Sequence, residues 1–251
     1  MAALPLWYLL VLFTTLGAIW GSFVGALCSR WPQGESIANG RSRCDNCGEV
    51  VAAYDLIPVF SYLNLQGKCR TCRHNIGIGA IAIELASGLI GAVTIVTMSL
   101  TQASAAAVFG WLLLPLVILD YRHYWLPDRL TLVLGVLGLL AGPSLTPQIS
   151  WFDRAIGGVA GFAILEAVRR VYGWSRQREG MGAGDPKLFA AIGIWLGWES
   201  LPMVLLLTTI LGLAMVMTDR LTVKKHDSAL PFGSFLAIAS FMISWIGWIP
   251  N

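Results

Sequence analysis

Two sets of side chains in this sequence have the types and spacing to do chemistry. The first is a pair of C-x2-C knuckles, Cys44-Asp45-Asn46-Cys47 and Cys69-Arg70-Thr71-Cys72. Each knuckle aims two thiolates at one point, and two knuckles complete a tetrahedron suited to zinc. Four cysteines close the coordination sphere and leave no place for a catalytic water, so such a metal would hold structure. The second set is a pair of aspartates. Asp120 ends the apolar run 112–119, and Asp185 ends the loop Gly180-Met181-Gly182-Ala183-Gly184. A carboxylate at the edge of an apolar bundle is costly to place and is a functional candidate for that reason. Two of them in a partly dry cleft do not both ionise comfortably; one keeps its proton while the other acts as a base. That division suits hydrolysis of a peptide bond by an activated water. Gly182 and Gly184 let the loop come close to a substrate strand and carry Asp185 to its partner.

The other candidates have blander readings. Disulfides would need an oxidising compartment, and a redox pair would need a βαβ setting that the sequence lacks. Asp128, in Leu126-Pro127-Asp128-Arg129, reads as a helix N-cap. Glu84 and Glu166 fall within apolar spans and would bond to neighbouring helices. Asp153 and Glu199 read as outer-loop charges, Asp219 with Arg220 as a solvated pair, and Cys28 as a packed thiol. His74, His123 and His226 stand alone. For the aspartates, the residues leave two readings open: a hydrolytic pair, or the carboxylates of a proton-coupled transporter. The transporter would expect acids near the bilayer midplane and matching halves, and no halves repeat.

The elements that must position these residues follow from composition. Of 251 residues, 56% are hydrophobic and 12% charged, with a mean hydropathy of +0.69. A soluble domain of this length needs more polar surface. The apolar runs are each near the ~20 residues that cross a bilayer. They fall near 4–27, 79–99, 103–119, 130–147, 152–172, 187–198, 201–218 and 231–249. No Lys or Arg precedes residue 28, so the first run lacks the basic start of a cleaved signal and reads as a retained helix with its N-terminus outside.

With eight spans, Arg30, Arg41, Arg43, Lys68, Arg70, Arg73, Arg122, Arg129, Arg176, Arg178, Lys187, Arg220, Lys224 and Lys225 fall in cytoplasmic loops. Of the 17 basic residues, only Arg154 falls outside. This is the positive-inside pattern. The net charge of +3 therefore reports orientation in a lipid bilayer and gives no ground for nucleic-acid binding. The expected fold is an all-α polytopic membrane protein of about eight helices. A first transmembrane helix (1–28), a small cytoplasmic four-cysteine zinc domain (29–75) and a transmembrane bundle (76–251) make up the chain.

In its motifs the chain resembles the bacterial type IV prepilin peptidases, membrane aspartic peptidases with a G-x-G-D motif. Gly21-Ser22-Phe23, Arg30-Trp31-Pro32, Ile57-Pro58-Val59-Phe60-Ser61-Tyr62-Leu63 between the knuckles, and Asp120 through Leu126-Pro127-Asp128 carry the resemblance. So do Gly182-Ala183-Gly184-Asp185-Pro186-Lys187-Leu188 and Leu230-Pro231-Phe232-Gly233. It implies Asp120 and Asp185 as the catalytic pair, with Asp128 in support. It also implies prepilin or pseudopilin substrates of a type IV pilus or type II secretion system, cut after a glycine at the cytoplasmic face of the inner membrane. Members with four cysteines often also methylate the new N-terminal amine with S-adenosylmethionine. The resemblance extends that activity to this chain, although no separate methyl-donor motif is visible.

Overall fold

A computed structural model describes residues 4–35, 42–44, 46–177, 180–221 and 230–246. Arg41, Asp45, Arg178, Lys224, Lys225 and His226 lie outside the described residues, as do the side chains of Asp219 and Arg220. The described chain is nearly all helix, with two isolated β-bridges and no strand. Each expected apolar segment coincides with a helix: α1 (Leu6–Arg30), α3 (Ile78–Thr97), α4 (Leu100–His123), α5 (Asp128–Leu145), α6 (Trp151–Arg176), α7 (Asp185–Leu196), α8 (Leu201–Leu221) and α9 (Phe232–Ile246). A short α2 (Phe60–Asn64) lies in the polar insertion. Among the described residues, five helices are long and apolar enough to cross a membrane: α1, α3, α4, α5 and α8. The chain is a multi-pass membrane protein. By compactness it falls into two units, 1–111 and 112–251, with the boundary inside α4.

In the first unit α1 and α3 run antiparallel in close contact. Their seam is lined by small residues, which let helix backbones approach where no water drives them together. A Cβ on Gly21 would lie 2.7 Å from Glu84 Cα, and one on Gly91 would lie 2.4 Å from the Phe13 carbonyl. Pro115 has no N–H for the Trp111 carbonyl one turn back. The Trp20 indole donates to that carbonyl instead, at 2.8 Å.

The second unit is built around α7. Its Leu188, Phe189, Ile192, Trp195 and Leu196 are fully buried, although the helix has only 12 residues. At about 18 Å it is too short to cross a hydrocarbon core of about 30 Å. Gly193 meets Gly157 of α6 so closely that a Cβ on Gly193 would lie 2.2 Å from the Gly157 carbonyl. Both ends of α7 are fixed. Gly197, in left-handed backbone at φ 75°, ends it, and Asp185 opens it.

Arg154, read from the sequence as the one basic residue on the outer side, is fully buried in the first turn of α6. Its Nη1 donates to the carbonyls of Ile194 and Trp195, and its Nη2 to those of Gly142 and Thr146 and to Thr146 Oγ1. The last carbonyls of a helix have no partners within it and attract cations. One guanidinium thus closes the C-terminal ends of α5 and α7 together. Glu166 bonds to Arg169 and Arg170 of its own helix, where the sequence suggested a neighbouring one.

Candidate active site

Asp120 lies in the last turn of α4 and Asp185 is the first residue of α7. Both are buried, at 6% and 4% exposure. They meet across the start of α9. A Cβ on Gly233 would stand 2.9 Å from Asp185 Oδ1 and 3.2 Å from Asp120 Cγ. Those two distances together bound the separation of the carboxyls, and only a residue without a side chain fits between them.

Each carboxylate has a backbone donor. The free N–H groups at a helix start need acceptors, and Ser234, third residue of α9, donates its N–H to Asp120 Oδ2 at 2.6 Å. Its hydroxyl lies 2.9 Å from the same oxygen and 2.9 Å from the Val117 carbonyl. Among the described residues Asp185 Oδ2 accepts one bond, from Gly182 N–H at 3.1 Å. The Gly-rich loop folds back on itself, with Asp185 N–H on the Gly182 carbonyl at 3.3 Å. A Cβ on Gly184 would fall 2.6 Å from Leu126 Cβ, so this glycine lets the loop reach the connection after α4.

Asp128 stands apart from the pair. The N-cap of α5 is Pro127, in extended backbone; Asp128 is already inside the helix and makes no cap, which corrects the sequence reading. Its carboxylate, 70% exposed, pairs with Lys187 Nζ at 2.6 Å. The ion pair joins the start of α5 to the first turn of α7, two residues beyond Asp185. An acid in a first helical turn is also favoured by the helix dipole.

The four cysteines are together in the first unit, with every ligand atom within 4.8 Å of the others. Cys44 Sγ and Cys72 Sγ are 3.8 Å apart. Zn–S bonds of ~2.3 Å in a tetrahedron place sulfurs roughly 3.8 Å apart, so the donor set fits zinc. Each knuckle is closed by a bridge, Arg43 with Val50 and Lys68 with Asn75. The residue after each second cysteine has left-handed backbone, Gly48 at φ 70° and Arg73 at φ 60°. The N–H groups of Cys47 and Asn46 turn on the Cys44 sulfur and lower its pKa, and the His74 N–H lowers that of Cys72 to about 6. Cys28 is buried away from them in α1.

The chain matches two family models: the bacterial peptidase A24 N-terminal domain over residues 15–98, and the type IV leader peptidase family over residues 107–217. A protein of Aeromonas hydrophila named prepilin leader peptidase/N-methyltransferase is 37% identical over 211 residues, 83% of this chain and 70% of the relative. The chain belongs to the type IV leader peptidase family. Proteins of the same name from Burkholderia pseudomallei and Pseudomonas aeruginosa are 36% and 37% identical. The first alignment covers 94% of this chain and 85% of the relative, the second 83% and 70%. No solved structure matches the chain. As a leader peptidase the chain is an enzyme. The residue that sequence reasoning missed at its acidic pair is Ser234. It directly follows the Leu230-Pro231-Phe232-Gly233 motif, whose apolar side chains and glycine gave no sign of a donor.

Proposed function

We propose that the chain is a membrane aspartic endopeptidase that removes the short basic leader of type IV prepilins or pseudopilins. It cuts after a glycine, at the cytoplasmic face of the bacterial inner membrane, with Asp120 and Asp185 as the catalytic pair. The observation that carries this reading is the convergence of two buried carboxyls on Gly233. Such a pair shares one proton and titrates as a unit. Asp120, with the N–H of Ser234 and the start of α9 on its Oδ2, takes the ionised role. Asp185, with one donor, holds the proton.

Asp120 takes a proton from water as the oxygen adds to the scissile carbonyl carbon, and Asp185 donates to the developing oxyanion. When the tetrahedral gem-diol collapses, the C–N bond breaks, the proton held by Asp120 passes to the leaving amine, and one hydroxyl of the gem-diol returns its proton to Asp185. The products are a leader ending in a carboxylate and a pilin with a new N-terminal amine. Gly182 and Gly184 keep the loop thin enough for a substrate strand. Asp128 supports the site through Lys187, and the basic loops around it set the cytoplasmic orientation with the N-terminus outside.

Cys44, Cys47, Cys69 and Cys72 would hold a zinc ion that crosslinks the cytoplasmic domain at 29–75, with 1–28 as the first membrane helix and 76–251 as the peptidase bundle. The new amine would then be methylated from S-adenosylmethionine, as the relatives' name suggests. Co-expression with a candidate prepilin, followed by mass analysis of its N-terminus, reads cleavage position and methylation together. Asp120→Asn and Asp185→Asn should each abolish cleavage with membrane insertion intact; cleavage at the original rate by either would remove that residue from the mechanism. Proton flux in proteoliposomes without cleavage would favour a transporter.

A further inference from the structure

The segment between the knuckles carries apolar side chains that stand exposed among the described residues. Leu56 and Ile57 are 42% and 47% exposed, and Phe60 and Leu63 are each 65% exposed. In a small domain in water this would be a costly surface. The segment is nonetheless held firmly. Arg70 donates to both oxygens of Asp55, at 2.8 and 2.6 Å, which ties the start of the segment to the second knuckle. That guanidinium holds the Asp55 carboxyl below its ordinary range.

The second tether sets the depth of the segment. Val59 N–H donates to Glu84 Oε2 at 2.7 Å. Around it Phe60 N–H closes on the Pro58 carbonyl at 2.6 Å, a γ-turn of the rarer hand with Val59 at φ 62°, ψ −50°. Glu84 lies in α3, opposite Gly21 of α1. It is about 9 Å along the axis from the start of α3 at Ile78, and Gly21 is about 13 Å from Arg30 at the end of α1. α1, with 25 residues, is about 38 Å long against a hydrocarbon core of about 30 Å, so its Arg30 end overshoots that core by only a few ångström. The backbone of Glu84 is therefore within the core, and its side chain leans back toward the start of α3. The amide of Val59, bonded to that carboxylate, comes to the boundary between headgroups and acyl chains.

We propose that segment 56–63 of the four-cysteine domain is inserted in the membrane surface, with Phe60 and Leu63 among the acyl chains of the leaflet at the Arg30 end of α1. Interfacial segments reach about 5–10 Å into that boundary with their apolar face, which matches the depth set by Glu84. The partner is the phospholipid bilayer itself. The two tethers fix the segment before it meets lipid, so its burial also fixes the height of the knuckles above the membrane.

The test uses the full chain in phosphatidylcholine–phosphatidylglycerol liposomes, with p-benzoyl-phenylalanine placed at position 60, 63 or, as an exposed polar control, 49. After irradiation, mass analysis identifies what each position has captured. Phospholipid adducts are expected at 60 and 63, several-fold above those at 49. Adducts at 60 and 63 with peptides of this chain would overturn the proposal by showing that the chain covers the segment, and so would lipid capture no greater than at 49. Phe60→Asp combined with Leu63→Asp provides a second reading. Bound zinc should be retained, while proteolysis of liposome-embedded protein between residues 52 and 66 should increase; unchanged protection would also overturn the proposal.

Discussion

Ser234 donates its backbone N–H to Asp120 Oδ2 at 2.6 Å and places its hydroxyl 2.9 Å from the same oxygen. The N–H bond belongs to the start of α9 and needs no side chain. The hydroxyl bond is divided, because the single proton also lies within reach of the Val117 carbonyl. Ser234→Ala therefore removes part of one charge-assisted bond. With such bonds worth about 1.5–3 kcal/mol in full, kcat for prepilin cleavage should fall about tenfold, at the low end of that range. KM should be unchanged, and Ser234→Thr should restore the rate. A change in KM alone would show that Ser234 acts on substrate binding and does not position Asp120.

Gly233→Ala tests the convergence itself. The added methyl would stand 2.9 Å from Asp185 Oδ1, 3.2 Å from Asp120 Cγ and 2.7 Å from Leu126 Cδ1. Something must move, and the carboxyls are the groups whose spacing matters. A displacement on the order of 1 Å at reacting groups costs roughly a hundredfold in rate. The overpacking itself should cost only about 1–3 kcal/mol of stability. Cleavage assays on protein with a normal elution profile separate the two effects. Near-normal activity in the alanine variant would argue against the pair as the site of chemistry.

Zinc content is measured directly by metal analysis, with one ion per chain expected. Cys44→Ser or Cys72→Ser should lose the ion and open the insertion to trypsin at Lys68, Arg70 and Arg73. A bound structural zinc contributes on the order of 10 kcal/mol to the folding of such a small unit. Four free thiols in a purified, metal-free and protease-resistant protein would dismiss the site.

What was legible in the sequence follows what is local. The long helices coincide with apolar runs because lipid demands an unbroken length of apolar residues. The four cysteines come together as their spacing implies, since each knuckle is a self-contained turn. The shortness of α7 was visible in the apolar run 187–198, the shortest of the eight. The approach of Asp120 to Asp185 was visible only as motifs, because α9 makes it and lies far along the chain. Asp128 looked like a cap because Asp often is one, yet Pro127 holds that position and leaves the acid free for Lys187. Arg154 was read only as the basic residue on the outer side, which does not reveal that two helix ends converge on it.

That convergence gives the last prediction. Arg154 is fully buried with no acidic partner among the described residues, and its charge is met by carbonyls of Gly142, Thr146, Ile194 and Trp195. Arg154→Ala would remove the donor these carbonyls share; Gly142 and Thr146 would keep the N–H groups of Thr146 and Ile149, and Trp195 the Thr146 hydroxyl, so the loss is on the order of 1–3 kcal/mol in all. The variant should therefore unfold several degrees lower in a thermal melt in detergent. Arg154→Lys should recover little, because an ammonium on a flexible stem cannot match a planar fork that spans two helix ends. α7 presents Asp185 at its other end, so release of its C-terminal end should also reach the chemistry. Cleavage should weaken through kcat at temperatures where the variant remains folded. A lysine variant as stable and active as the original would mean that the charge alone matters and that the two-ended grip does not.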